Sequence, residues 1–202
     1  GTFEEYGLLA KNLKENQTCN PKTDFGNIKY AIYMMSKNIC KKLELKYSHV
    51  RLSLPYSMRD NESFYFSKII KSISRGEQPE LENLYSANDY IHASDVARAI
   101  ISLVENQAEG IYNLGSGEPI ATKILLNMIY EKFGKELKIK IQNNISNNLE
   151  EFSLDNTKIY NKIVWKPSIS IWDGISLLVH ENKFNSKPSL EEFTDRIRNL
   201  CK

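Results

Sequence analysis

Residues 88–100 read Asn-Asp-Tyr-Ile-His-Ala-Ser-Asp-Val-Ala-Arg-Ala-Ile, and residues 110–119 read Gly-Ile-Tyr-Asn-Leu-Gly-Ser-Gly-Glu-Pro. The first stretch opens with a short β-prone segment and continues into a helix, predicted over 96–105, with an apolar face. The second stretch predicts a strand over 110–114. The Gly-Ser-Gly that follows it permits a tight turn, because glycine tolerates positive φ. A strand, a helix and a second strand in this order are typical of a parallel sheet.

The same alternation continues toward the amino terminus. A helix is predicted over 29–47, the β-prone residues 49–54 predict a strand that Pro55 should end, and 64–74 predicts a second helix. In the helix over 96–105, Ser94 or Asp95 should act as the amino-terminal cap. The apolar side chains of the first helix share one face, at Ile32, Met35, Ile39 and Leu43.

Helical and extended patterns also alternate toward the carboxyl terminus. We predict helices over 124–133, 155–160, 170–179 and 190–200, and a strand over 137–141. Strands that alternate with helices indicate an α/β fold with a partly parallel sheet.

The composition is that of an ordinary globular protein. Of 202 residues, 41% are hydrophobic and 26% are charged, and the net charge of +2 comes from scattered lysines, so neither disorder nor a nucleic-acid partner is expected. No apolar run approaches the roughly 20 residues of a membrane span. The three cysteines, Cys19, Cys40 and Cys201, are too far apart for a disulfide framework or a metal site, which favours the cytoplasm. The chain opens Gly-Thr-Phe with no leading element, so we expect it to be part of a longer protein.

Five patterns follow one another in a fixed order. They are Gly-Thr-Phe-Glu-Glu-Tyr-Gly at 1–7, Pro-Lys-Thr-Asp-Phe-Gly-Asn-Ile-Lys at 21–29, Val-Arg-Leu-Ser-Leu-Pro-Tyr-Ser-Met-Arg-Asp at 50–60, the two stretches quoted first, and Val-Trp-Lys-Pro with Trp-Asp-Gly-Ile within 164–175. Over about residues 1–180 they resemble the extended short-chain dehydrogenases that remodel nucleotide-linked sugars. The resemblance implies a partial doubly wound, Rossmann-like parallel sheet that lacks its amino-terminal half, plus a smaller α/β substrate lobe.

The first two patterns resemble the catalytic motifs of that family. Thr2 stands where a hydroxyl holds the reacting sugar oxygen, and Glu4 stands where the dehydratases have an acid. The resemblance places Lys29 on the nicotinamide ribose, with Phe25 at the position of the catalytic tyrosine. Residues four apart share a helical face, so a lysine could act on a phenol there. A phenyl ring has no proton to exchange, so acid–base catalysis at Phe25 is lost.

A second Tyr-x-x-x-Lys pair, Tyr33 and Lys37, lies two turns further along the helix. Tyr33 is the alternative catalytic residue, although the distance from Lys29 to Arg51 agrees with the family's spacing when Phe25 occupies the tyrosine position.

The remaining patterns imply the binding residues. Pro55 and Tyr56 are predicted to contact the cofactor, NAD or NADP. The substrate contacts are predicted at Arg51, Arg59, Asn88 and Tyr90, with Asn88 in place of an arginine that would meet the diphosphate. A neutral amide can hydrogen-bond a phosphate but supplies no charge. His92 is interpreted as a structural residue, and no metal site is expected.

The family's glycine-rich cofactor turn is not found among the 202 residues, and the Gly-Ser-Gly turn matches the substrate side instead. We divide the chain into a Rossmann-like remainder at 1–114, with substrate-lobe segments interleaved at about 55–90, a substrate lobe at 115–183 and a terminal helix at 184–202.

The leading hypothesis is an NAD(P)-dependent epimerase, dehydratase or reductase acting on a nucleotide-activated sugar. This chain is expected to be inactive alone, and a homodimer is a candidate assembly. The alternative is a pseudoenzyme or partner-binding remnant of the same fold. An unrelated α/β binding module would require the five ordered motifs to arise by chance.

Overall fold

The computed structural model describes residues 1–57, 65–79, 84–136, 150–184 and 195. It is an α/β structure, as predicted. A 3-10 turn at Phe3–Tyr6 precedes the helices α1 (Asp24–Lys42), α2 (Tyr65–Arg75), α3 (Ala93–Glu105), α4 (Thr122–Lys132), α5 (Thr157–Ile163) and α6 (Ile171–Phe184), and the strands β1 (Ser48–Leu52), β2 (Leu54–Tyr56), β3 (Ala87–His92), β4 (Gly110–Leu114) and β5 (Pro119–Ala121). The predicted strand over 137–141, and the terminal helix beyond α6 except for Asp195, lie outside the described residues.

Two neighbouring sheets form the frame. Strands β1 and β4 pair in parallel, from Ser48 with Gly110 to Leu52 with Leu114, and Thr2 adds a parallel bridge to Leu52. The second sheet has the order β2-β3-β5, with β2 and β3 parallel and β5 antiparallel. The predicted unit of strand, helix and parallel strand around residues 88–119 is therefore divided between two sheets.

Pro55 does not end the first strand as predicted. The chain changes sheets at Ser53, and Pro55 then lies within β2, opposite Ile91 of β3. Because β2 is the edge strand of its sheet, the missing N–H of proline can face away from the ladder.

Two predicted helix starts also differ from the structure. Helix α1 begins at Asp24, five residues earlier than predicted, because the Thr23 hydroxyl accepts a hydrogen bond from the Gly26 N–H at 3.0 Å. Helix α3 begins at Ala93, and its cap is His92, whose Nδ1 accepts from the Ser94 N–H at 3.2 Å. The prediction of Ser94 or Asp95 as that cap is wrong.

Apolar side chains form two main clusters. One lies between α2, α4, α6 and the second sheet and includes Phe66, Leu126 and Ile175. The other lies between the parallel pair, α3 and α5 and includes Leu114 and Trp165. The second cluster thus draws on residues from both sides of position 115, and the domain boundaries predicted from the sequence stay a prediction.

A buried ionic group joins the start of the chain to β1. The Glu5 carboxylate is fully buried and accepts hydrogen bonds from Arg51 Nε and from the Thr2 N–H, each at 3.0 Å. It also lies 3.0 Å from Nε2 of His49. Burial by itself raises the pKa of Glu5, but the bonds and charges of His49 and Arg51, with the Thr2 amide, together hold that pKa below its ordinary value.

We expect Glu5→Gln to lower the free energy of unfolding at pH 7 by about 3–5 kcal/mol, because Arg51 is left buried without a counter-charge. A lowered folded-state pKa contributes stability above the ordinary glutamate pKa, and this stability is lost as the pH falls through the folded pKa. The wild type should therefore lose more stability than the variant on acidification. Urea unfolding between pH 7 and pH 3 measures both effects.

Glu105→Gln, at the exposed end of α3, is the matched control and should leave unfolding nearly unchanged. The double variant Glu5→Gln with Arg51→Met should recover part of the loss, since no unpaired charge remains. Equal unfolding free energies for the wild type and Glu5→Gln at pH 7 would contradict a buried Arg51 charge that depends on Glu5 for compensation.

Candidate functional site

The predicted catalytic residues gather where the parallel pair ends. Thr2 is buried beside Leu52, the last residue of β1, and caps the 3-10 turn that follows it. Its hydroxyl accepts from the Glu4 N–H at 3.4 Å, and the Glu5 carboxylate receives the Thr2 N–H. This reciprocal capping box fixes both the backbone and the hydroxyl of Thr2.

The Glu4 side chain meets the amino-terminal end of α1. The Thr23 hydroxyl donates to the Glu4 carboxylate while it accepts from the Gly26 N–H. Gly26 permits this contact, since a Cβ there would approach the Glu4 carbonyl oxygen to 2.8 Å. The chain start and the beginning of α1 are therefore in direct contact.

Phe25 is the second residue of α1 and half of its surface is exposed, at 51%. Lys29 lies one helical turn further on, with its Nζ 5.3 Å from the centre of the Phe25 ring. The lysine thus approaches the face of a ring that has no hydroxyl, an attractive cation–π arrangement but not an acid–base pair. Phe25 and Lys29 thus lie on the first turns of the helix whose cap, Thr23, contacts Glu4, two residues from Thr2.

The alternative residue, Tyr33, has a different environment. It is 6% exposed and its ring lies 4.5 Å from the ring of His49, on the side of α1 that faces the sheet. Its hydroxyl accepts from Lys37 Nζ at 3.3 Å. The Tyr33–Lys37 pair is thus a contact between α1 and β1, two turns from the cluster around Thr2.

Arg51 was predicted to contact substrate, and the structure places it in the interior. It is 2% exposed, its guanidinium lies 4.6 Å from the Tyr6 ring, and it donates to Glu5 and to the Cys19 sulfur. Each of its three side-chain nitrogens donates a hydrogen bond within the protein. This arrangement gives no support to a substrate contact.

The predicted cofactor residues differ in how accessible they are. Lys29 is partly exposed and Pro55 is exposed, whereas Tyr56 is buried and stacks on Phe66 with ring centres 4.9 Å apart. A Cβ at Gly174 would overlap the Tyr56 hydroxyl, and burial, followed by the charges of Asp95 and Asp173, raises the pKa of this phenol. Tyr56 therefore fits a packing role, and Lys29 and Pro55 are the accessible members of the predicted set.

The predicted substrate residues Asn88 and Tyr90 lie on β3. Tyr90 is buried with its ring edge-on to Phe66, and burial raises the pKa of its hydroxyl. Asn88 is half-buried, and its amide nitrogen lies 3.5 Å from that hydroxyl. Arg59 lies outside the described residues.

Two buried aspartates in the quoted stretches have structural functions that we did not predict. Asp89 accepts from the Ser116 N–H and hydroxyl, both at 2.6 Å, and from the N–H groups of Gly117 and Leu154. Asp95 accepts from the N–H groups of Ser168 and Ile169. Asp89 thereby shapes the Gly-Ser-Gly turn, and no local signal marked this contact because the turn residues that it binds lie 27 and 28 residues further along the chain.

The described residues provide no group of three or more potential metal ligands. Nor does any helix within them combine the length and apolar character that crossing a membrane requires.

Comparison with known proteins agrees with the resemblance. The chain is 28% identical over 179 residues to the dTDP-4-dehydro-6-deoxyglucose reductase of Escherichia coli, covering 86% of this chain and 57% of that protein. It is 28% identical over 122 residues to the UDP-glucuronate 4-epimerase of Thermodesulfobacterium geofontis, covering 60% of this chain and 35% of that protein. The chain thus spans little more than half the length of the first relative.

Solved structures share the fold. The NAD complex of dTDP-glucose 4,6-dehydratase from Bacillus anthracis superposes with a TM-score of 0.81 at 20% identity, covering 92% of this chain and 60% of that one. The NADPH complex of RMD from Pseudomonas aeruginosa gives 0.82 at 17% identity, covering 92% and 66%. Residues 1–178 match the sequence family described as GDP-mannose 4,6 dehydratase, so the chain belongs to that family within the extended short-chain dehydrogenases.

Proposed function

We propose that the chain is the carboxy-terminal part of an NAD(P)-dependent enzyme that epimerises, dehydrates or reduces a nucleotide-activated sugar, and that the 202 residues alone do not turn over. The observation that carries this proposal is the cluster of Thr2, Glu4, Phe25 and Lys29 at the end of the parallel pair. It has the positioning groups of the family's site, but the acid–base position carries a phenyl ring.

Each residue of the proposed site would have a different function. The Thr2 hydroxyl, fixed by the capping box, is placed to hold a sugar oxygen. Glu4 is an acid at the same turn, tied to α1 through Thr23. Lys29 would hold the ribose of a nicotinamide cofactor, which supplies the hydride chemistry when bound. Substrate contacts at Arg59, Asn88 and Tyr90 remain part of the proposal, and Asn88 would offer the diphosphate a neutral hydrogen bond.

A specific observation favours the second candidate, a pseudoenzyme of the same fold. Phe25 cannot exchange a proton, and Nζ of Lys29 lies over its ring. The same side of α1 continues into an exposed apolar face, which would suit a protein partner. We place either form in the cytoplasm, because Cys19 and Cys40 are both free thiols.

A second copy of the protein is the partner that we propose for α1. Its exposed face recurs every three or four residues, which is the pattern of a helix that packs on another helix. Each of these side chains is more than half exposed, and they are Ile28, Ile32, Met35, Ile39 and, at the carboxyl-terminal cap of the helix, Leu43.

The first prediction from this proposal concerns the cofactor. Affinity for a dinucleotide comes largely from a glycine turn at a helix amino terminus, and the 202 residues contain no such turn. Isothermal calorimetry of the isolated chain with NAD(H) and NADP(H) should therefore detect no tight binding. Tight binding of either cofactor would mean that we have misplaced the cofactor site.

The second prediction concerns catalysis. When the chain is fused to the cofactor-binding segment of a relative, cofactor binding should return while turnover stays poor. Phe25→Tyr in that fusion should then raise kcat on an accepted nucleotide sugar by about 100- to 10,000-fold, the usual worth of a positioned acid or base.

Tyr33→Phe is the matched control for the tyrosine alternative. It should leave kcat of the Phe25→Tyr fusion within about threefold, because Tyr33 lies two turns away. Equal turnover with Phe and Tyr at position 25, or loss of turnover in Tyr33→Phe, would favour Tyr33 as the catalytic residue.

The third prediction concerns the assembly of two copies into a dimer. Met35→Lys with Ile39→Lys places two charges on the apolar face of α1 and should convert a dimer to a monomer, as sedimentation velocity would report. Ile101→Lys, at a comparably exposed position on α3, should leave the dimer intact. A wild-type chain that sediments as a monomer at high micromolar concentration would contradict the proposed homodimer.

A further inference from the structure

A cavity of about 600 Å³ lies between the carboxyl-terminal half of α1 and the first residues of β4. Its volume is within the range of small-molecule pockets. Strands β1 and β4 run parallel from Ser48 and Gly110, so the cavity lies at their amino ends, whereas Thr2 lies at their carboxyl ends. It is therefore distinct from the cluster proposed as the catalytic site.

The cavity is lined by more positive than negative charge. Lys37 and Lys41 enter it from α1 and Lys158 from α5, and Glu109 is the one carboxylate that lines it. Within the described part of the chain, none of the three lysines forms an ion pair. These ammonium groups are therefore available to an anion from solution.

Two of the ammonium groups are held in place by aromatic side chains. Lys37 Nζ donates to the Tyr33 hydroxyl at 3.3 Å, and Lys158 Nζ lies 5.1 Å from the centre of the Tyr112 ring. Gly110 lies beneath the second lysine, where a Cβ would come within 3.7 Å of Nζ. Groups that are positioned before binding lose less conformational freedom on binding, which favours affinity.

An apolar wall completes the cavity. Leu45 is 58% exposed there, and Tyr47 and Ile111 line the same space. This wall suits the planar or aliphatic body of a ligand whose anionic head meets the lysines. A phosphate monoester carries about −1.5 to −2 charge at pH 7 and three acceptor oxygens, so it matches three ammonium groups better than a single carboxylate does.

We propose that this cavity binds a small organic phosphate, with its phosphate at Lys37, Lys41 and Lys158 and its apolar body against Leu45, Tyr47 and Ile111. The site adds an anion-binding function at the end of the fold opposite the proposed active site.

The test is a titration of the ¹⁵N-labelled chain with phenyl phosphate, followed by amide chemical shifts. Shifts should concentrate at Tyr47, Gly110 and Ile111, and inorganic phosphate should shift the same amides with an affinity lower by about fivefold, since it lacks the apolar body. Equal affinity for the two probes would mean that the site recognises free phosphate, and would overturn the organic ligand. Shifts at Ser116 and Gly117 instead would place binding at the substrate-side turn, and would overturn the cavity.

A pair of matched double variants tests the charges. Lys41→Gln with Lys158→Gln should weaken phenyl phosphate binding at least about tenfold, the worth of one charge-assisted hydrogen bond. Lys42→Gln with Lys162→Gln removes the same charge from the same two helices at positions that do not line the cavity, and should weaken binding less than about twofold. Neither pair includes Lys37, which holds the buried Tyr33 hydroxyl, so folding should be retained and thermal unfolding would verify it. Equal weakening by the two pairs would mean that binding depends only on the overall charge of the protein, and would contradict a specific phosphate site in the cavity.

Discussion

The fully buried carboxylate of Glu5 holds the start of the chain against the parallel pair, and the other contacts of the candidate site follow from it. It compensates Arg51 on β1, lies beside His49 and receives the Thr2 N–H, so one charge joins the chain start to the parallel pair. A buried ion pair is a poor source of net stability, because desolvation offsets its attraction. Its value here is positional, since neither partner can leave without exposing the other's charge to an apolar interior.

That constraint determines where the candidate site lies. The 3-10 turn is held at the end of β1, and its Glu4 is then within reach of Thr23, the cap of α1. Phe25 and Lys29 follow on the first turns of that helix. In the site that we propose, the positioning groups are kept while the acid–base group is absent, because a phenyl ring occupies nearly the same volume as a phenol and packs equally well. Packing alone offers no reason to restore the hydroxyl.

Most elements of the fold could be predicted from local pattern. The strand at 110–114 was located residue for residue, and α2 to within one residue, because the flanking turns are strong local signals. The misplaced cap of α3 had no such signal, since histidine is an unusual cap and its position at the end of β3 depends on the pairing of that strand. Pro55 was misjudged for a related reason. Whether a proline ends a strand depends on which strand lies at the edge of a sheet, and no local window contains that information.

Residue identity and spacing were enough to predict the order of most elements, the family, and a phenyl ring at position 25 where the resemblance expects a tyrosine. Which charged and polar residues are accessible depends instead on contacts between distant parts of the chain. Arg51 and Tyr56 belong to motifs that imply binding, yet one compensates Glu5 in the interior and the other packs between Phe66 and Gly174. Burial depends on what other parts of the chain bring to a residue, and Glu5 lies 46 positions away from Arg51. The spacing of residues within a motif does not indicate such a distant partner.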